Sequence, residues 1–174
     1  MNKYRYCRHI PMDRKEIGEN ALAVLRIMIG WLFLWPFFDK LFGLGFQTEH
    51  GKGMIDGVSP SSYVEWMTRG PFEAVFKAIA GNAFIDFLMM AALLILGITL
   101  IFGFASKLTT IGASAFVLIM FCIELPPTDN PLFDYHITWI AALIVILYLG
   151  GYERLSVYRW WKELPIVKRF PILE

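Results

Sequence analysis

Residues Phe84 to Phe104 read FIDFLMMAALLILGITLIFGF, and Asp86, near the start, is the only charge among them. A helix of about 20 predominantly apolar residues is what a hydrocarbon core of about 30 Å requires. This segment therefore predicts a membrane-spanning helix, and it constrains the rest of the chain. Three other stretches approach the same requirement, at 21–38, 108–125 and 136–149. The composition agrees, with 57% apolar and 18% charged residues over 174 positions. The expected fold is all-α: an integral membrane four-helix bundle running up-down-up-down. The first span is the least clean. Arg26 lies inside it, placed to snorkel toward the interface, and Pro36 should free a carbonyl near Leu32 and kink the far end.

The connections are of unequal length. Spans two and three are separated by little more than Ala105, Ser106 and Lys107, which forces an antiparallel hairpin. Spans three and four are joined by PPTDNPLFD, whose prolines and Asn130-Pro131 cannot continue a helix. The long connection is 43–83, glycine-rich up to Gly57 and followed by Ser59-Pro60. Ser61-Ser62 before YVEWM and Pro71 before FEAVFKAI predict two short aromatic helices there, making a structured outer loop between helices 1 and 2. The organisation is then a tail at 1–20, a four-span domain at 21–151 and an interfacial tail at 152–174. No small-residue cleavage site follows the first apolar run, which reads as a retained span.

Basic residues set the direction. Lys3, Arg5, Arg8, Arg14 and Lys15 precede span one, Lys107 lies in the short hairpin loop, and Arg154, Arg159, Lys162, Lys168 and Arg169 follow span four. Those three segments share one side, so the positive-inside rule predicts a cytoplasmic-membrane protein with both termini in the cytoplasm. RWWK at 159–162 fits an interfacial anchor with its indoles at headgroup depth.

Several function classes are disfavoured. A net charge of +1 offers no general attraction for nucleic acid. Cys7 and Cys122 form no C-x-x-C or Cys/His pattern for zinc, iron-sulfur or haem, and Cys122 reads as a buried, inert thiol. No flavin, nicotinamide or metal motif is present, so no bound metal or flavin is expected. Inverted repeats and broken mid-membrane helices, the usual marks of a transporter, are also missing.

Counting 1.5 Å per residue along each span brings most ionisable groups to one rim. Asp39 and Lys40 end span one there, Asp86 begins span two, Glu124 ends span three, and Asp134 with His136 opens span four. Helix ends are where membrane proteins tolerate charge, so each residue alone is unremarked. Convergence from four helices beside a structured loop instead describes a small-molecule site. Lys40, Asp39, His136 and Asp134 are the catalytic candidates. Arg26, Lys40, Arg69, Asp86, Glu124 and Asn130 are the candidates for holding substrate. The opposite charges of the rim are expected to pair in an ionic network.

FLWPFFDKLFGLGFQT, from Phe33 to Thr48, resembles a run in the DoxX/DoxD family of small four-helix membrane proteins. Leu25-Arg26 with Gly30, Ser59-Pro60, Gly70-Pro71-Phe72 and LPPTDNPLFDYHI at 125–137 resemble other segments of that family in the same order. The resemblance implies the membrane subunit of a thiosulfate:quinone oxidoreductase, which joins two thiosulfates into tetrathionate and passes two electrons to a membrane quinone. It implies a separate DoxA-like small subunit as partner, beside the lipid bilayer, and leaves room for a homo-oligomer. The alternative is a non-catalytic scaffold for a partner redox or thiol-stress complex. A dianionic sulfur substrate needs cations, for which Lys40, Arg69 and His136 are available on the outer side. A quinone needs an apolar slot and a proton-carrying group, for which Arg26, His136, Glu124 or Trp139 qualify.

Overall fold

The computed structural model describes residues 13–127, 130 and 134–174. Among them all regular structure is helical: α1 (Arg14–Phe42), α2 (Val64–Met67), α3 (Glu73–Ile79), α4 (Ala83–Phe102), α5 (Ser106–Ile123), α6 (Tyr135–Tyr148), α7 (Tyr158–Trp161) and α8 (Pro165–Arg169). Short 3₁₀ turns occupy Met54–Asp56 and Pro171–Leu173. The N-terminal tail through residue 12, with Cys7, and residues 128–129 and 131–133 of the turn before α6 lie outside the described residues.

Three helices, α1, α4 and α5, are long and apolar enough to cross a membrane. Helix α6 is also apolar, but its 14 residues cover only roughly 21 Å at the helical rise. Phe84, Phe87, Ile95, Ile111, Tyr148 and Leu149 are all more than half exposed. So much outward-facing apolar surface suits hydrocarbon as the surrounding solvent.

Helix α1 packs along α4, and α5 along α6; α4 with α5, and α1 with α6, touch less extensively. Close approach of α1 and α4 depends on small residues. A Cβ at Gly30 would come 2.8 Å from Ile101, and one at Gly97 would come 2.8 Å from Leu34. Between the helices, Phe33, Leu93, Leu100, Val117, Leu143 and Ile146 form part of a continuous apolar core. Cys122, expected to be buried, is half-buried.

Helix α1 outruns its expected bounds at both ends. Its first turns are held by Arg154, which lies 2.9 Å from Glu16 and 3.0 Å from Glu19. Pro36 does not end it, because a proline removes one intrahelical hydrogen bond while the neighbouring ones persist. The helix stops at Gly43, whose left-handed φ of 62° lets its N–H reach the Asp39 carbonyl at 2.8 Å.

Arg26 differs from the snorkelling expectation. It is fully buried and donates from Nη1 to the Gly151 carbonyl at 2.9 Å and from Nη2 to the Leu155 carbonyl at 2.6 Å. Its guanidinium also lies 5.2 Å from the Tyr152 ring centre. The carbonyls that follow a helix end have no partner within the helix, so they serve a buried cation well. Gly103, at the end of α4, makes room for it: a Cβ there would stand 2.3 Å from Arg26 Nη1. Arg26 therefore ties α1 to the chain after α6.

The segment after α6 folds against the α4–α5 hairpin. Lys107 meets the Glu174 carboxylate at 2.9 Å, Ser106 donates to the Glu174 carbonyl at 2.9 Å, and the Tyr158 hydroxyl donates to the carboxylate at 3.1 Å. Lys107 and Tyr158 hold the Glu174 carboxyl below its usual range. The RWWK anchor is divided. Trp160 is 64% exposed, whereas Trp161 packs 5.0 Å from Phe104 and donates from Nε1 to the Leu173 carbonyl at 2.6 Å.

Candidate functional site

The rim residues predicted to form one ionic network divide into two groups with different tasks. Asp39 and Asp86 face the long loop. Asp39 is buried, and it accepts from the backbone N–H of Phe46 at 3.2 Å, of Gln47 at 2.9 Å and of Thr48 at 2.8 Å. Asp86 accepts from the Ser59 hydroxyl at 2.8 Å and the Ser61 N–H at 2.9 Å. Ser61 Oγ in turn accepts from the Gly81 N–H at 3.0 Å. An ionised carboxylate is satisfied by several amide and hydroxyl donors as well as by a cation. The two aspartates therefore pin the loop to the ends of α1 and α4, and among the described residues neither forms a salt bridge within the expected network.

The pinned loop closes one end of a cavity of about 490 Å³. Its walls come from α1 (Phe33, Pro36, Lys40), α4 (Met89, Leu93), α5 (Phe116, Met120, Glu124), α6 (Tyr135, His136, Trp139) and the loop (Phe46, Gln47, Tyr63, Trp66). That volume suits a small organic molecule. Because Asp39 holds the N–H groups of Phe46 and Gln47, it sets two of these wall residues in place. Asp86 does the same for the strand of loop that leads to Tyr63.

Lys40 is the cavity's cation. Among the described residues it forms no ion pair, and its ammonium stands 4.4 Å from the centre of the Tyr63 ring. The Tyr63 hydroxyl donates to Met120 Sδ at 3.3 Å. Burial, with the Glu124 charge second, pushes the Tyr63 phenol up to about 12. It stays a neutral donor throughout the ordinary pH range.

Glu124 and the start of α6 supply the second polar wall. Asp134, preceding α6, accepts from the Tyr135 N–H at 2.5 Å and meets His136 Nδ1 at 2.5 Å. The two side chains share one hydrogen, and this contact fixes the orientation of the His136 ring at the cavity wall. The Tyr135 hydroxyl donates to Glu124 at 3.0 and 2.9 Å, and its ring stacks on His136 with centroids 4.0 Å apart. Ligand atoms of Glu124, Asp134 and His136 lie within 4.8 Å of one another, as a metal would require. A metal taking Nδ1 and the Asp134 oxygen would have to displace the hydrogen they share.

The structure brings Lys40, Glu124 and His136 to one cavity, with Asp134 orienting His136. It places the other candidates elsewhere. Arg26 sits among the carbonyls of Gly151 and Leu155, Arg69 and Asn130 are exposed and outside the cavity lining, and Asp86 is turned to the loop. Sequence reasoning missed Tyr63, Gln47 and Tyr135. Tyr63 lies in the YVEWM stretch read as a short aromatic helix and carries no sequence signal for the cavity, whereas Tyr135 is marked only by standing next to His136. No family model, curated protein or solved structure compared with this chain matches it, and none of them identifies the DoxX/DoxD family.

Proposed function

We propose that the chain is the membrane subunit of a quinone-linked sulfur oxidoreductase, with the quinone head seated in the cavity between Lys40 and His136. One observation carries the reading: a lysine without an ion partner among the described residues enters an aromatic-lined cavity that also holds an Asp-oriented histidine. A quinone supplies two carbonyl oxygens and a flat ring. The Lys40 ammonium and the Tyr63 ring side suit one carbonyl and its ring, and His136 suits the other. The resemblance of the 33–48 run to the DoxX/DoxD family supplies the sulfur substrate, and the cavity supports the acceptor half only.

In the overall reaction two thiosulfates lose two electrons as a sulfur–sulfur bond forms between them. The quinone gains those electrons with two protons and leaves as quinol. His136, held by Asp134, is suited to pass one proton to a carbonyl oxygen, and the Tyr135–Glu124 pair marks a path for the second. The electronic step needs the thiosulfate-binding partner, which is proposed to be a DoxA-like small subunit.

The same proposal includes the membrane arrangement. Helices α1, α4, α5 and α6 cross alternately as a four-helix bundle, with both termini cytoplasmic and the loop-covered cavity outside. The Lys/Arg distribution and the short α4–α5 connection support it. Vesicles containing the chain and its small partner should reduce a benzoquinone when given thiosulfate, forming one quinol for every two thiosulfates consumed. A chain that binds a partner redox enzyme but neither binds nor turns over quinone is the scaffold instead, and the proposal fails.

A further inference from the structure

The cavity has a back wall with a second apolar space behind it. Between α4 and α5, under α3, lies a groove of about 500 Å³ lined almost wholly by apolar side chains. Met89, Phe116, Met120, Ile123 and Tyr63 line both spaces, so these five side chains are the partition. Three features suit the partition to opening. Helices α4 and α5 pack on each other less extensively than α1 on α4 or α5 on α6. The groove floor carries the small residues Ala92, Gly112 and Ala115. Two of the dividing side chains are methionines, unbranched and able to change rotamer at little cost, and the hydrogen bond that Met120 Sδ accepts from the Tyr63 hydroxyl is a weak one.

A competing groove exists between α1 and α4, about 600 Å³ and equally apolar, lined by Met28, Trp31, Ile98 and their neighbours. Only Leu32 is common to it and the cavity. The outward residues of the α4–α5 groove, Leu88, Ile95 and Ile119, are exposed on the hydrocarbon-facing side.

We infer that the α4–α5 groove is a subsite for the isoprenoid tail of a lipid-soluble quinone, and that the ligand enters the cavity from the membrane past Met89, Phe116 and Met120. The inference rests on the reading of the cavity as a quinone-head site. A tail moving from lipid into the groove gains little hydrophobic free energy, because lipid is already apolar. The groove therefore acts on access: a tailed quinone can seat its head only where its tail has an exit.

The test uses two probes, a tail-less methyl-substituted benzoquinone and a homologue with a long isoprenoid tail. Binding to the full chain in detergent micelles is read by quenching of tryptophan fluorescence, since Trp66 and Trp139 line the cavity. Ala115→Phe, which fills the groove from α5, should weaken the tailed probe about tenfold or more while leaving the tail-less probe within about twofold. Ile95→Phe fills it from α4 and gives the same readout if the first variant folds poorly. Ile98→Phe, in the α1–α4 groove, should change neither.

Equal effects on both probes, no effect from Ala115→Phe and Ile95→Phe, or selective loss in Ile98→Phe overturns the tail subsite. No effect would also be the result if an ordinary lipid acyl chain occupies the groove. Failure of the wild-type chain to bind either probe overturns the quinone reading itself, which is a separate outcome.

Discussion

Lys40→Met should lower thiosulfate-dependent quinone reduction by about a hundredfold, a loss of about 3 kcal/mol of transition-state stabilisation, while the protein remains folded. The stability half of this expectation follows from what Lys40 touches. It has no ion pair among the described residues, and its contact with the Tyr63 ring contributes only about 0.5–2 kcal/mol. Methionine keeps the length of the stem and its packing against the cavity wall. The activity half follows from what the ammonium faces, since removing it leaves the ligand oxygen without the cavity's fixed positive charge. Quinone reduction in vesicles and a thermal melt of the same preparation measure the two halves. Wild-type turnover with an unchanged melt would remove Lys40 from the site. A large drop in melting temperature with full activity in the folded fraction would make it a packing residue.

The second large effect is on stability and belongs to Asp39. Asp39→Ala leaves the N–H groups of Phe46, Gln47 and Thr48 without their acceptor. Hydrogen bonds to a charged group contribute about 1.5–3 kcal/mol each when removed singly. The three are made by one group and are not additive, so a loss of about 3–5 kcal/mol is expected. Asp39→Asn should recover only part of it, because the amide offers one acceptor oxygen and turns donors toward donors. Expression, melting temperature and amide exchange at Phe46, Gln47 and Thr48 report the change, with those three amides losing protection first. A variant that melts like wild type, keeps those amides protected and has lost activity would restore Asp39 to the catalytic role expected of it from the sequence.

The contrast between these two adjacent residues shows where sequence reasoning stops. Helix content and the gathering of charge at one end were legible, because hydropathy and the helical rise are properties of each segment alone. The partners of each charge were not. Asp39 is satisfied by backbone amides seven to nine residues onward, and a backbone amide has no side-chain signature. The DKLFGLGF run is accounted for in the same terms: its aspartate collects the returning N–H groups, and Gly43 makes the reversal with a φ of 62°. Arg26 was equally illegible. Its carbonyl partners lie 125 and 129 residues away, and only the close approach of Gly103 explains why a guanidinium fits between helices there. Tyr63 reaches the cavity because Asp86 fixes Ser59 and Ser61 before it, a tertiary constraint that a helix pattern over YVEWM does not contain.

The central claim is that the loop-covered cavity, and no other apolar surface of the chain, receives the quinone head. Photolabelling of the purified chain with an azido-benzoquinone, followed by mass mapping of the modified peptides, tests it most directly. The account predicts labels within Tyr63–Met67, Phe116–Ile123 or Tyr135–Trp139, suppressed by an excess of tail-less quinone. Labels confined to Met28, Trp31 and Ile98 on the outer face of α1 and α4, or labels that excess quinone does not suppress, would contradict it.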